Sequence, residues 1–144
     1  MTDSIVYDKA KWHYGGDYPE ELPHEQAFVH TGMFLGWLID RDLYSDFFAE
    51  ESEDLITAFK NREKTGAQVY KWFDGVLSDE MLSDEGNAFA QDYYLAEGRY
   101  LQDYDDLLCD GFPSLYHVQD TWENYAKLKA KIDERYVGWK NDAG

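Results

Sequence analysis

Apolar residues recur at spacings of three and four along most of the chain, which is the pattern of amphipathic helices. The clearest run is Ala27, Phe28, Thr31, Phe34, Leu35 and Leu38. Further apolar residues lie on the other sides of the same segment, and a helix that is apolar on most sides belongs at the centre of a fold. We therefore predict a central helix over Ala27 to Asp40, with its first turn near Pro23.

The same spacing predicts helices in the rest of the chain. They are expected at about Asp46 to Lys60, at Thr65 to Phe73, on both sides of Gly98 between Ser83 and Leu108, and from Asp120 to Trp139. In the helix at about Asp46 to Lys60, the side chains expected to point towards the core are those of Phe47, Phe48, Leu55, Ile56 and Phe59. No strong alternating strand pattern and no internal repeat is present. We expect one all-α domain over residues 1–144, a bundle of five or six helices around the central helix.

Two local signals refine this picture. Gly32 and Gly36 lie four residues apart in the central helix, and this spacing predicts that a second helix crosses closely there. Thr65 and Gln68 have the spacing of a capping box, which marks the start of a helix. Both signals concern helix ends and crossings, so they support a helical bundle.

The first part of the chain lacks helical periodicity. Residues 5–23 contain the adjacent glycines Gly15 and Gly16 and two prolines, which interrupt regular structure. The same segment carries the rings Tyr7, Trp12, Tyr14 and Tyr18. We predict an irregular aromatic segment whose rings pack onto the body of the protein.

Composition adds a strong negative charge to this helical protein. The 144 residues include 13 Lys and Arg against 30 Asp and Glu, for a net charge of −17. Such a charge opposes binding to phosphate backbones and to anionic lipid, so direct nucleic-acid and membrane binding are not expected. It favours encounter with a basic protein partner.

The cellular setting follows from cysteine usage and the start of the chain. Cys109 is the single cysteine and therefore has no partner for an internal disulfide. The first residues lack the basic and apolar regions of a signal peptide. The longest mostly apolar run, Ala27 to Ile39, is too short to cross a bilayer. We expect a cytoplasmic protein.

The negative charge is concentrated in the middle of the chain. Residues 46–120 contain 18 acidic and 5 basic residues, whereas residues 121–144 contain 4 acidic and 5 basic residues. Between Asp79 and Asp110, ten acids stand against the single base Arg99, and four tyrosines are interleaved with them. Carboxylates pair with Arg or Lys of a partner, and tyrosine offers a rigid ring with a polar tip.

We therefore predict that this acidic stretch is a surface that captures a basic protein. The steering residues would be Asp84, Glu85, Asp103, Asp105 and Asp106. The anchors would be Tyr93, Tyr100 and Tyr104. The alternative is that the tyrosines face the core at helical spacing, and that the acids form an ordinary solvated face.

No motif for catalysis, nucleotide binding or calcium binding is present. His24 and His30 are six residues apart and lie on separate helix faces, which excludes a zinc helix. Cys109, beside leucines, is interpreted as a small buried hydrophobe rather than as a nucleophile paired with His117. We expect no catalytic residue, no metal ion and no cofactor, with a convergence of His13, His24, His30 and His117 on carboxylates as the alternative.

Two further hypotheses remain open. The first is an enzyme or small-ligand protein with a pocket lined by Trp12, His13, His30 and Trp37, because rings and glycines over residues 12–17 are typical of a loop that covers a cavity. Taken singly, His30 is interpreted as a core histidine bonded to a carbonyl or a tyrosine hydroxyl. The second is a DNA-mimic regulator, which requires acids spaced along one ridge like phosphates.

Two segments resemble a family of small, uncharacterised bacterial proteins. They are Tyr7-Asp8-x-Ala10-Lys11-Trp12-His13-Tyr14-Gly15-Gly16-Asp17-Tyr18-Pro19 and His30-x-Gly32-Met33-Phe34-Leu35-x-Trp37. Gly86-Asn87-Ala88-Phe89-Ala90, Tyr93-Tyr94 and Tyr100-Leu101-x-Asp103-Tyr104 are similar too. The resemblance implies a bacterial cytosolic setting and brings no catalytic residues. In general character the chain is similar to immunity proteins that neutralise toxins delivered between competing bacteria, which implies a basic cognate toxin as partner.

Overall fold

The computed structural model describes residues 6–9, 24–73, 75–96, 99–109, 111–112 and 115–143. These residues form seven α-helices and one small antiparallel sheet. The helices are α1 (Val29–Asp40), α2 (Asp46–Glu51), α3 (Glu53–Lys60), α4 (Gly66–Trp72), α5 (Asp84–Ala90), α6 (Arg99–Leu108) and α7 (Trp122–Ala143). The strands are β1 (Val6–Lys9) and β2 (Val76–Ser78). The mostly helical architecture confirms the predicted all-α class.

Shorter helical turns connect these elements. They are the 3₁₀ turns His24–Phe28, Asp79–Met81 and Leu115–His117, and the π-helical turn Gln91–Ala96. The π-helical turn continues directly from α5, so the predicted first helix after Ser83 runs from α5 into this turn. Gly98, where a break was predicted, lies outside the described residues.

Two differences from the expected bundle have simple local causes. The predicted helix from Asp46 to Lys60 is two helices, α2 and α3, that meet at the buried Ser52. Serine favours helix ends over helix interiors, and this break raises the helix number above six among the described residues. The sheet was not expected, because strands of four and three residues are too short to show a clear alternation. Residues 10–23 of the predicted irregular segment lie outside the described residues.

Helix α1 is the central element, as predicted. Every residue from Val29 to Ile39 is buried, and the helix packs against α3, α4 and α7. The ring of Phe34 lies 5.0 Å from that of Tyr100, and the ring of Trp37 lies 5.3 Å from those of Phe89 and Tyr136. The core around α1 is therefore built largely from aromatic side chains.

Helices α1 and α4 cross at very close range. A Cβ atom on Gly32 would lie 2.5 Å from Cα of Ala67, and one on Gly66 would collide with the carbonyl oxygen of Gly32. A Cβ on Gly36 would lie 2.6 Å from the ring of Phe59. The predicted close crossing is confirmed, and its cause is that both backbones meet where neither has a side chain.

The start of α4 is fixed at this crossing by the predicted capping box. The hydroxyl of Thr65 accepts a hydrogen bond from the backbone N–H of Gln68, whose side chain accepts one from the N–H of Thr65 at 2.9 Å. The hydroxyl of Thr65 also donates to Asp120 at 2.5 Å. Thr65 therefore links the start of α4 to the segment that leads into α7.

Helix α7 packs against the rest of the bundle through its apolar side. Its buried stripe is Tyr125, Leu128, Ile132 and Tyr136, which recur at spacings of three and four. Tyr125 contacts Phe59, and Tyr136 contacts Phe89 edge to face. Within the described part of the chain, no helix combines the length and apolar character needed to cross a membrane.

We expect Gly32→Ala to lower the free energy of unfolding by about 3 kcal/mol, because the new methyl group meets backbone atoms that cannot move without separating α1 from α4. Urea or thermal unfolding measures this change. The matched control is Gly138→Ala in α7, where nothing lies within 4 Å of the added Cβ. This variant should be as stable as the wild type or more stable by up to about 1 kcal/mol, since alanine favours helix. Equal stability of the two variants would contradict the crossing.

Candidate functional site

The tyrosines of the acidic stretch lie in the core. Tyr93, Tyr94, Tyr100 and Tyr104 are all buried, and the rings of Tyr94 and Tyr100 stack with centroids 5.1 Å apart. The prediction that Tyr93, Tyr100 and Tyr104 anchor a partner is therefore wrong. The rings of Tyr93, Tyr94 and Tyr100 lie near Phe34 of α1, and the ring of Tyr104 lies near His30. The alternative interpretation of the pattern is therefore correct for the tyrosines.

Three of these tyrosines also tie elements together through their hydroxyl groups. Tyr93 donates to Asp103 at 2.6 Å, Tyr94 donates to Asp8 at 2.5 Å, and Tyr100 donates to the carbonyl oxygen of His30. Burial raises the pKa of all three phenols. The hydroxyls therefore remain protonated donors, and their role is to connect buried polar groups within the fold.

Asp103 is a buried carboxylate whose basic partner belongs to the same chain. Arg135 of α7 donates to both of its oxygens at 3.0 Å, and Tyr93 donates to one of them. Burial alone raises the pKa of Asp103, but the hydrogen bonds from Arg135 and Tyr93 outweigh it and hold that pKa below its usual value. The prediction that Asp103 steers a partner is corrected, because Arg135 neutralises its charge.

Helix α7 supplies partners for two more acids of the stretch. Glu85 accepts a hydrogen bond from the hydroxyl of Tyr136 and lies 3.5 Å from the ammonium group of Lys140. Asp92 accepts a hydrogen bond from the indole N–H of Trp139 at 2.7 Å. The basic and aromatic side of α7 therefore covers part of the surface for which the sequence predicts a foreign basic partner. Glu85 remains partly exposed, but its charge is paired.

Asp84, Asp105 and Asp106 are exposed, and no basic side chain of the described residues pairs with them. Asp84 lies in the first turn of α5, where the helix dipole favours a carboxylate. Asp105 and Asp106 lie in the last turn of α6, where the dipole disfavours one and no basic residue is present. Of the predicted steering residues, only these three are exposed and have no basic partner among the described residues.

Asp105 and Asp106 border a shallow surface depression. Its volume is about 420 Å³, and its other lining residues are Cys109, Gly111 and Phe112. The ring of Phe112 is 48% exposed. Two carboxylates beside an exposed ring make a suitable environment for the cationic head of a lysine or arginine.

A second exposed acidic surface lies outside the predicted stretch. Helix α2 carries Asp46, Glu50 and Glu51 around Phe47, and Phe47 is 51% exposed. The expectation that Phe47 points inward is wrong, because Phe48 is its immediate neighbour and two adjacent helical residues point about 100° apart. Only Phe48 reaches the core, where it stacks on Phe73. The two adjacent rings are of the same type, so the sequence alone does not identify which of them is exposed.

A buried polar cluster surrounds His30 and joins β1 to α1. Asp8 of β1 accepts hydrogen bonds from Thr31 at 3.0 Å and from Tyr94, and Nε2 of His30 lies 3.6 Å from the same carboxylate. The rings of Tyr104 and Tyr116 flank that of His30 with centroids 6.1 and 5.9 Å away. His30 is a fully buried core residue.

Two of the four residues in the ligand-pocket hypothesis, His30 and Trp37, are fully buried. Trp37 is fully buried among rings, and its indole N–H donates to Asp133 at 2.8 Å. It lines no open cavity, because Phe34, Phe89 and Tyr136 occupy the space around it. Trp12 and His13 lie outside the described residues, so this hypothesis remains untested at those positions.

The metal-binding and nucleophile alternatives gain no support from the described residues. Within them, no three side chains of His, Cys, Asp or Glu are grouped to hold a metal ion. The thiol of Cys109 is buried and free of disulfide. Burial raises the pKa of this thiol to about 11, so it stays protonated at neutral pH. This environment agrees with the interpretation of Cys109 as a small buried hydrophobe.

A family model for a domain of unknown function, DUF7832, matches residues 6–118, which is more than half of the chain. The chain belongs to the DUF7832 family. No curated protein and no solved structure matches it. The DUF7832 match runs from β1 to the turn Leu115–His117 and ends before α7. Arg135, Tyr136 and Lys140, which pair with acids of the DUF7832 domain, therefore lie beyond the matched region.

We expect Asp103→Asn to lower the free energy of unfolding by about 2 kcal/mol at neutral pH, because Arg135 then faces a neutral amide in place of a carboxylate. Since folding lowers the pKa of Asp103, its ionised form stabilises the fold above about pH 4, and this contribution is lost as the pH falls further. Urea unfolding should therefore show that the wild type and the variant converge in stability at acid pH.

The control for this experiment is Asp106→Asn, an exposed acid on the same helix. It should change the free energy of unfolding by less than about 0.5 kcal/mol. A difference between Asp103→Asn and the wild type that is the same at neutral and acid pH would contradict the charge pairing with Arg135.

We expect Cys109 to react slowly with iodoacetamide at neutral pH in the folded protein, because its pKa of about 11 leaves almost no thiolate. Unfolding in urea should accelerate the reaction, since the thiol then returns to its ordinary pKa. Mass spectrometry over time measures the modified fraction. Rapid alkylation of the folded protein at neutral pH would show an activated thiol and revive the nucleophile alternative.

Proposed function

We propose that this protein binds a basic protein partner and acts as an immunity protein that neutralises a bacterial toxin in the cytoplasm. The observation that carries the proposal is the exposed pair Asp105 and Asp106 at the end of α6, without a basic partner among the described residues and beside the exposed ring of Phe112. These two acids belong to the steering set that the charge pattern predicts.

The internal ion pairs explain why some acids remain free for a partner. Most basic side chains of the described residues already bind acids of their own chain. The pairs are Arg41 and Lys129 with Asp133, Lys60 with Asp42, Arg62 with Asp40, Lys127 with Glu123, Lys131 with Glu134, Arg135 with Asp103 and Lys140 with Glu85. The excess of acids over bases is therefore carried by exposed carboxylates. They give the protein a negative field that attracts a cationic surface.

The position of Asp105 and Asp106 adds a specific argument. Carboxylates in the last turn of a helix are disfavoured by about 0.3–1 kcal/mol each, and two adjacent ones repel each other. A basic partner removes this cost, because a lysine or arginine in the depression pairs with the carboxylates and contacts the ring of Phe112. The arrangement is therefore more favourable in a complex than in the free protein.

Neutralisation of a toxin requires only that this contact covers the functional surface of the toxin. A nuclease carries a positively charged cleft for its phosphate substrate, and an acidic surface is complementary to such a cleft. Opposite charges also increase the association rate, which matters for a protein that must intercept a toxin before it acts. The partner class with the best electrostatic fit is thus a basic nuclease toxin.

The charge-reversal variant Asp105→Lys with Asp106→Lys tests this proposal. Each protein encoded beside the gene is expressed in a bacterial host, alone and together with the wild-type chain. We expect one of them to arrest growth alone and to be harmless in the presence of the wild type. In the purified complex, charge reversal should slow association by about tenfold, and added NaCl should weaken binding of the wild type.

The matched control reverses two exposed acids elsewhere, Glu63→Lys with Glu134→Lys, and so changes the net charge equally. It should retain most of the protection and of the association rate. Neighbouring proteins that neither arrest growth nor bind would overturn the immunity function. An affinity that changes neither with the NaCl concentration nor with charge reversal at Asp105 and Asp106 would overturn the role of this surface.

A further inference from the structure

The two most exposed large apolar side chains of the described residues are Trp72, at 70%, and Phe47, at 51%. Trp72 ends α4, and Phe47 lies in the first turn of α2. Their sequence neighbours Phe73 and Phe48 stack on each other with ring centroids 5.1 Å apart. This stack joins the end of α4 to α2, so the two segments that carry the exposed rings are neighbours.

The exposed rings are accompanied by carboxylates. Glu50 and Glu51 follow Phe47 at three and four residues in α2, which places all three side chains on one exposed side of the helix. Neither glutamate pairs with a basic side chain of the described residues. Both lie in the last turn of α2, which has no basic residue and where the helix dipole disfavours negative charge.

Single exposed apolar residues are common and need no explanation. Trp72 and Phe47 differ from that background in residue type and in surroundings. Tryptophan and other large aromatic side chains dominate the binding energy of protein interfaces. The side chain of Trp72 is 70% exposed and makes no ring contact or hydrogen bond with any described residue. Exposure of two large rings on neighbouring helices, one of them beside uncompensated carboxylates, is typical of an interface whose partner is absent.

We propose that Phe47, Trp72, Glu50 and Glu51 form a second docking surface, which takes a basic amphipathic helix of a partner protein. The apolar side of that helix covers the two rings, and its lysines or arginines pair with the two glutamates. The proposal rests on the proposed function only for the positive charge of the partner. A second copy of this chain is the wrong occupant, because its net charge of −17 repels an identical surface.

A synthetic amphipathic helix made of leucine and lysine is the probe for this surface. We expect it to bind the wild-type protein and to perturb the amide signals of α2 and of the end of α4 in an NMR titration. Trp72→Ala and Glu50→Lys with Glu51→Lys should each weaken binding by about tenfold or more. A peptide with glutamate in place of lysine should not bind.

The matched control is Val137→Ala, which shortens an apolar side chain on α7 that is exposed to nearly the same extent as Phe47. It should leave the affinity for the leucine–lysine helix unchanged. Trp72→Ala removes no buried contact, so its thermal unfolding midpoint should stay within about 3 °C of the wild type. This measurement separates a loss of binding from a loss of folding.

The possible outcomes distinguish this surface from the one at the end of α6. Binding that is lost only in Asp105→Lys with Asp106→Lys would overturn the second surface and leave the proposed function standing. Binding at Phe47 and Trp72 without toxin protection would overturn the immunity function and support the second surface. A wild-type dimer that Trp72→Ala converts to a monomer would show that a second copy is the occupant and overturn the proposal.

Discussion

The contact between the backbones of α1 and α4 is the constraint on which the rest of the structure depends. Gly32 and Gly66 leave no room for a side chain between these helices, so α4 lies directly on the central helix. The remaining sides of α1 then carry the large rings, and α7 with the tyrosines after Ser83 must surround them. The same crossing places Thr65 where it can bind Asp120, and so connects the first half of the chain to the approach to α7.

The side chains of helix α7 determine which acids of the preceding helices are paired within the protein. Its arginine and lysine side chains neutralise Asp103 and Glu85, and its indole N–H at Trp139 binds Asp92. Acids that stand close together in sequence thereby divide into structural carboxylates and exposed ones. Of the five predicted steering acids, Asp84, Asp105 and Asp106 are exposed without a basic partner among the described residues, so the unpaired acidic surface is smaller than the sequence indicates.

Helix type and helix packing were largely predictable, whereas the candidate site was predictable only in part. Apolar spacing predicts α1 and the final helix α7, and the glycine pair and Thr65 predict the crossing and the start of α4. The apolar pattern does not predict the break at Ser52, because that pattern continues through it. The acidic sequence neighbours of Tyr93, Tyr100 and Tyr104 favour a surface position for these rings, whereas their helical spacing favours the core, where they lie.

The sequence by itself determined the helical class, the buried position of α1, the glycine contact and the excess of negative charge, since these follow from local spacing and from composition. Only the tertiary structure decided which acids are paired and which rings are exposed. Asp103 and Arg135 are far apart in sequence, and their pairing depends on where α7 lies after folding. Phe47 and Phe48 are adjacent and alike, and only the position of Phe73 selects the ring that enters the core. Interactions between distant segments are a property of the folded chain, so local patterns do not contain them.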